Sequence, residues 1–105
     1  MTGGAGGSIA TAQCTDTADR TTIMGAGFEG SVIQCGQMYI GQEPQTLDCM
    51  KMIGLSDGCA QCYDDEIHCI IMNCLNECIN DVNSQMCVDC RAMFCDPPLA
   101  MCTGL

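Results

Sequence analysis

Cysteine is the residue type in this chain with the most evident chemistry. The 105 residues include twelve cysteines, an even number that permits complete pairing. Cysteine at this density in a short chain is typical of a disulfide scaffold. Since bridges at about 2–4 kcal/mol each can stabilise a domain with a small apolar core, we predict that all twelve are paired. They are Cys14, Cys35, Cys49, Cys59, Cys62, Cys69, Cys74, Cys78, Cys87, Cys90, Cys95 and Cys102.

The spacing of the last eight cysteines predicts an antiparallel helical hairpin. Counted outward from a turn at residues 80–83, the spacings are four, five and seven residues on one side and three, five and seven on the other. Two antiparallel helices of equal rise bring such positions face to face. The predicted bridges join Cys78 with Cys87, Cys74 with Cys90, Cys69 with Cys95 and Cys62 with Cys102.

The direction of these cysteines around a helix is less regular than their spacing along it. At about 100° per residue, Cys62 and Cys69 point about 120° away from Cys74. We therefore expect either a break near Tyr63 and Asp64 or a coiling of the two helices around each other.

The four remaining cysteines are paired by elimination. Cys35 and Cys49 flank a turn at 41–44, which leaves Cys14 with Cys59. Twelve cysteines allow on the order of ten thousand connectivities, so spacing alone does not select these two pairs.

Two C-x-x-C units raise the alternatives of a metal or redox site. Cys59-Ala-Gln-Cys62 and Cys87-Val-Asp-Cys90 are 24 residues apart, which exceeds the common zinc spacing. Neither unit is followed by the histidine of a c-type haem site, and no βαβ pattern supports thioredoxin chemistry. Disulfides remain the prediction, with thiolate metal binding as an alternative.

Other residues that could act in catalysis are few. His68 is the only histidine, and we interpret it as a solvent-facing or packed helix residue. The run Asp64-Asp65-Glu66 lacks the spacing and glycine of an EF-hand loop, so we expect a solvated acidic face. These residues predict no catalytic site, no bound metal and no cofactor.

Methionine is unusually frequent, with nine in the chain. Methionine fills irregular cores, forms adaptable binding surfaces and can bind soft metals. Because the chain has only four aromatic residues and no tryptophan, we expect the methionines to fill the core.

The elements that position the cysteines are predicted to be helices. After a cap at Thr15 or Asp16, apolar residues recur at helical spacing as far as Tyr39, with four glycines that favour a kink or break. A second helix begins with Pro44 at its first position and ends at Gly54.

The C-terminal half is predicted to hold one long and one shorter helix. The long helix runs over 57–79 after a cap at Ser56 or Asp57. Ser84 caps a helix over 85–95 that must end before Pro97, and a short turn over 99–102 follows. No segment alternates with period two. The fold class is therefore all-α, a small disulfide-rich helical domain of four or five short helices.

The first thirteen residues form a glycine-rich arm that precedes a single domain over 14–105. Such a composition is expected to stay mobile unless a partner holds it, so we take the arm as a candidate contact surface for a protein partner. The candidate contact residues are Gly3, Gly4, Gly6, Gly7 and Ile9.

Charge and targeting signals limit the surroundings of the protein. The formal net charge of −10 would repel nucleic acid and anionic membranes. No apolar run is long enough for a transmembrane segment, and the N-terminus lacks the features of a secretory signal. Since the cysteines indicate an oxidising compartment, we expect that a targeting segment has been removed.

The C-terminal half resembles uncharacterised cysteine-rich proteins of algae and other protists. The resemblance covers residues 54–105 and rests on Gly54-Leu55-Ser56, on the cysteine spacings and on the ending Cys102-Thr-Gly-Leu. It implies a processed protein that is secreted, cell-surface or located in an organelle lumen. In a photosynthetic protist it also implies a peripheral subunit of a photosystem or antenna.

These features together predict a non-catalytic structural or accessory subunit that docks on a larger protein assembly and stabilises it. The alternatives are a secreted signalling or effector protein and a thiolate metal-binding protein.

Overall fold

A computed structural model describes residues 11–105, and the helices within this range account for most of it. They are α1 (Thr17–Met24), α2 (Phe28–Tyr39), α3 (Gln45–Met52), α4 (Asp57–Cys78), α5 (Gln85–Phe94) and α6 (Asp96–Thr103). No residue of this range lies in a strand. The all-α class is confirmed. The described helices number six rather than four or five, because the first predicted helix divides in two and the last predicted turn is a full helix.

Glycine divides the first predicted helix into α1 and α2. Gly25 is extended at the end of α1, and Gly27 adopts a left-handed conformation (φ 84°) just before Phe28. Glycine reaches this conformation without the steric cost that a side chain imposes. The apolar stripe of the sequence is therefore carried by two helices.

Two predicted caps, Asp16 and Ser84, form cap hydrogen bonds, whereas the side chain of Ser56 at the start of α4 does not. The Asp16 side chain accepts a hydrogen bond from the Asp19 amide, and Ser84 accepts one from the Cys87 amide. Pro44 was predicted at the first helical position but lies at the N-cap of α3, so the helix begins one residue later, at Gln45. Helix α5 ends before Pro97 as predicted, and α6 begins directly after it. The first turn of a helix tolerates proline because the amide N–H groups there have no partner within the helix.

Helix α4 is the longest described helix and the centre of the fold, since α3, α5 and α6 all pack against it. Its backbone departs from helical geometry at Cys74 (φ −131°, ψ 17°), whereas residues 63 and 64 are helical. The predicted break near Tyr63 and Asp64 is therefore wrong. The departure lies between Cys69 and Cys78, where the cysteines of a straight helix would point in different directions.

Six disulfides join the helices with the predicted connectivity. Cys74–Cys90 and Cys78–Cys87 tie α4 to α5, Cys69–Cys95 ties it to the junction of α5 and α6, and Cys62–Cys102 ties it to α6. The second arm of the predicted hairpin is thus two helices in succession. Cys14–Cys59 and Cys35–Cys49 complete the set, so none of the twelve cysteines is free.

The buried side chains form two clusters of different composition. The larger cluster includes Val32, Met50, Leu55 and Ile67 together with cystines. The smaller cluster lies within the hairpin and consists of Cys74, Cys78 and Cys87, with a few partly buried neighbours. The hairpin interior is therefore built mainly from sulfur.

Residues 12–14 run along the last turn of α6. The amides of Ala12, Gln13 and Cys14 donate to the carbonyls of residues 101, 102 and 103 at 3.4, 2.8 and 3.0 Å. These contacts satisfy carbonyl groups that the end of a helix leaves unpaired. The candidate contact residues Gly3, Gly4, Gly6, Gly7 and Ile9 lie outside the described residues.

Most methionines lie at the surface, contrary to the expectation that they fill the core. Of the eight that the structure describes, Met50 is fully buried and the other seven are exposed, with Met24, Met52 and Met72 more than four-fifths accessible. Cystine sulfur occupies the interior that methionine was expected to fill. Within residues 11–105, none of the helices is long and apolar enough to cross a membrane.

Candidate functional sites

Helix α4 buries two carboxylates on different sides. Asp64 and Glu66 are 2% and 8% exposed, whereas Asp65 between them is exposed. Residues two apart on a helix point about 200° from each other, so the two side chains meet different neighbours. The expectation of a solvated acidic face is therefore wrong for Asp64 and Glu66 and holds for Asp65.

Asp64 belongs to a cluster with His68 and Glu43. Glu43 precedes α3, and Asp64 and His68 lie one turn apart on α4. His68 Nε2 is 2.6 Å from Glu43 Oε2 and 3.7 Å from Asp64 Oδ2. One donor atom from each residue falls within 4.8 Å of the other two. We call these three residues the carboxylate–histidine cluster.

Neighbouring groups hold the cluster in place. The Leu47 amide donates to Glu43 Oε1 at 3.3 Å, which leaves Oε2 for His68. Gln61 Nε2 donates to Asp64 Oδ2 at 3.3 Å. Gly41, with φ 73°, lies so close to the His68 ring that an added Cβ would sit 3.4 Å from two ring atoms.

The electrostatics of the cluster favour one proton on Asp64 and a charged pair beside it. Burial, followed by the neighbouring Glu43, raises the pKa of Asp64 to about 7. Burial also acts to raise the pKa of Glu43, but hydrogen bonds from His68, Asp64 and Leu47 outweigh it and the pKa is lowered. The pKa of His68 is raised, chiefly by its hydrogen bond to Glu43 and further by the charge of Asp64.

Glu66 lies in a groove on the other side of α4. The groove has a volume of about 650 Å³, and its apolar lining includes Phe28, Ile70 and Leu99. Glu66 Oε1 and Arg91 Nε are buried there without a hydrogen-bond partner in the described structure. Burial, followed by the charge of Asp96, raises the pKa of Glu66 to about 7, and Arg91 offsets part of this effect.

The twelve predicted disulfide cysteines are all in bridges, so they leave no thiolate to bind a metal or to act as a nucleophile. No sequence pattern points to Glu43, and the sequence predicted His68 to be a solvent-facing or packed helix residue. The available signal was the i, i+4 spacing of Asp64 and His68, which places both on one helix face. No spacing rule links Glu43 to that face, because a separate loop carries it.

Comparison of the chain with protein-family models, curated proteins and solved structures finds no match.

Proposed function

We propose that the protein is a non-catalytic accessory subunit that docks on a larger protein assembly in an oxidising compartment, through apolar side chains displayed on a covalently fixed frame. The observation that carries the proposal is the exposure of large apolar residues along the C-terminal hairpin. Nine such residues form what we call the hairpin surface: Met72, Leu75, Ile79, Met86, Val88, Met93, Phe94, Met101 and Leu105.

Contiguous exposed apolar area on a soluble domain marks an interaction surface more often than single exposed residues do. Within α4, Met72, Leu75 and Ile79 are spaced by three and four residues, and they are 82%, 41% and 65% exposed. Methionine adapts its shape to a partner because its side chain is unbranched and polarizable. The hairpin surface thus offers flexible contact groups.

The disulfides favour binding because they reduce the conformational freedom that the protein loses when it docks. Four bridges fix α4 against α5 and α6 before any partner arrives. A frame fixed in advance loses little backbone freedom on association, so more of the contact energy appears as affinity. Six intramolecular bridges also support an organelle lumen or an extracellular location. If the source is a photosynthetic protist, the resemblance to proteins of algae and other protists supports a peripheral antenna or photosystem subunit.

The first experiment is size-exclusion chromatography of a native extract without reductant, followed by detection of the chain. We expect the protein to elute with a much larger species than its own 11.1 kDa. A free monomer would contradict the docking proposal and favour the secreted signalling or effector alternative.

The second experiment asks whether the hairpin surface makes the contact. The double variant Met72→Gln, Ile79→Gln removes two exposed apolar side chains from α4, and Met52→Gln on α3 is the matched control at 87% exposure. We expect the double variant to leave the assembly while the control remains bound. If both variants stay bound to the assembly, or if both leave it to the same extent, the hairpin surface is not the docking face.

A further inference from the structure

We propose that Glu43, Asp64 and His68 form a binding site for a divalent transition-metal ion of the zinc class. This site is independent of the hairpin surface, and docking could fail while metal binding holds.

The donor set suits such an ion. Zn²⁺ accepts imidazole nitrogen at about 2.0–2.1 Å and carboxylate oxygen at about 2.0–2.2 Å. The cluster offers one imidazole and two carboxylates, with one donor atom of each within 4.8 Å of the others. Mg²⁺ and Ca²⁺ require six or more oxygen ligands and so fit the cluster poorly. Three protein ligands leave a further position for water or for a ligand from a partner.

The buried state of Asp64 is an independent observation that points to a ligand. Its side chain is 4% exposed, and its Oδ1 atom is buried without a hydrogen-bond partner in the described structure. A buried carboxylate oxygen without a partner is costly, and buried charges are ordinarily paired or bound to a metal. Oδ2 is the oxygen that lies toward His68, so a cation beside His68 that is bound by both oxygens of Asp64 would give Oδ1 the missing interaction.

The three ligands are positioned before any ion binds. Asp64 and His68 lie on the same face of α4, which is the helix that three others pack against. Glu43 is fixed by the amide of Leu47 at the start of α3, and the Cys35–Cys49 bridge ties α3 to α2. Gln61 donates to Asp64 as an outer-shell partner, which is the arrangement that orients metal ligands in proteins.

The simpler interpretation is a hydrogen-bonded His–Glu pair with no ion. In that state Glu43 and His68 are 2.6 Å apart, which is a hydrogen-bond distance. Metal binding must release two protons, the one between Glu43 and His68 and the one on Asp64. It must also move the Glu43 and His68 atoms to about 3 Å apart or more, as tetrahedral coordination at zinc distances requires. Glu43 lies in the connection between α2 and α3 and its side chain is 39% exposed, so its carboxylate can rotate by this amount while Asp64 and His68 keep their places on α4.

The test is calorimetric titration of Zn²⁺ into the oxidised full-length protein, in excess Mg²⁺ to suppress diffuse binding to the acidic surface. We expect saturation at one ion per chain. Asp64→Asn and His68→Gln should each weaken binding about tenfold or more, judged from the 10–100-fold losses that follow removal of even outer-shell partners. Asp57→Asn removes an exposed carboxylate at the start of the same helix, away from the cluster, so it is the matched control and should bind as the wild type does.

A second measurement needs no variant. His68 is the only histidine, so its ring nitrogen signals in NMR are unambiguous. Zn²⁺ should shift the Nε2 signal in proportion to occupancy, with the endpoint at one equivalent. Non-reducing mass must confirm six disulfides in every sample. An unshifted His68 signal, or Zn²⁺ affinity that Asp57→Asn lowers as much as Asp64→Asn does, would overturn the proposal.

Discussion

The region around α1–α3 and the hairpin of α4–α6 are stabilised by different means. The first region buries Val32, Met50 and Leu55 in a mixed cluster of hydrocarbon and cystine. The N-terminal half of α4 adds Ala60 and Ile67 to this same cluster. The part of the hairpin near its turn buries a separate cluster of three cysteines with few other apolar groups packed on it. The first region has one internal disulfide and the hairpin has four, so the two regions differ both in the number of bridges and in the amount of hydrocarbon packed around them.

This difference explains where the exposed apolar residues lie. A helical hairpin ordinarily uses its large apolar residues to hold its helices together. In this hairpin the bridges do so, and nine of the thirteen large apolar side chains that are exposed within residues 11–105 lie in it or at the C-terminus that follows it. Covalent links therefore leave apolar side chains exposed on the hairpin.

The largest expected effect on stability comes from truncation of a methionine in the buried cluster of the first region, compared with truncation of one on the hairpin surface. Met50→Ala removes a fully buried side chain from the first region and should lower the free energy of unfolding by about 2–5 kcal/mol. Met93→Ala on the hairpin surface should change it by less than about 0.5 kcal/mol. Chemical denaturation of both variants checks this pair. A loss as large for Met93→Ala would show that the hairpin relies on hydrocarbon packing after all.

A smaller effect is expected at the groove between the two regions, where Glu66 lies. Its pKa is about 7 in the folded protein against an ordinary 4.5, so between these pH values the folded carboxyl keeps a proton that the unfolded one loses. Stability must therefore fall as pH rises through this window, by about 2 kcal/mol for this group after allowance for water at the groove.

Glu66→Gln should remove this part of the pH dependence, because the amide does not titrate. The measurement is the unfolding free energy at several pH values from 4 to 8. The exposed Glu29→Gln variant is the control and should retain the wild-type slope. Identical slopes in the wild type and Glu66→Gln would show that Glu66 is not held protonated.

The smallest effect concerns the tip of the hairpin. Ser84→Ala removes the cap of α5 and should cost about 1 kcal/mol. Because the Cys78–Cys87 bridge fixes the same turn, we expect the loss of stability to appear as local fraying of the first turn of α5. Hydrogen exchange at residues 86–88 measures it. Unchanged exchange there would mean that the bridge alone defines the helix start.

The cysteine spacing predicted the disulfides because helix rise alone fixes which positions face each other in an antiparallel pair. The position of the break could not be predicted in the same way. A rotation at Cys74 and one at Tyr63 both correct the direction of the cysteines, and the choice depends on what packs around α4.

The candidate sites were harder to predict because burial of a charged residue depends on neighbours far away in the chain. Three consecutive acidic residues are typical of a solvated face. Asp64 and Glu66 are buried only because α4 is covered on two sides, one by the loop with Glu43 and the other by α5 and α6. The exposure of the methionines was not predicted either. Disulfides fill the interior of the hairpin near its turn, so methionine side chains are not needed there.

The claim that sulfur replaces hydrocarbon in the hairpin is tested most directly by a comparison of two disulfides of nearly equal loop length. Cys74–Cys90 spans 16 residues within the hairpin, and Cys35–Cys49 spans 14 residues within the first region. Each bridge can be removed by a double variant, Cys74→Ala with Cys90→Ala or Cys35→Ala with Cys49→Ala. The greater entropy of the unfolded chain should lower the free energy of unfolding by almost the same amount in both, about 3 kcal/mol. Any difference in local protection then reports the folded packing.

We predict that hydrogen exchange in α5 loses its protection when Cys74–Cys90 is removed, because little hydrocarbon remains to hold α5 on α4. Removal of Cys35–Cys49 should leave α2 and α3 largely protected by Val32, Met50 and their neighbours. Equal losses in the two variants, or a greater loss in α2 and α3, would contradict the claim that sulfur replaces hydrocarbon in the hairpin.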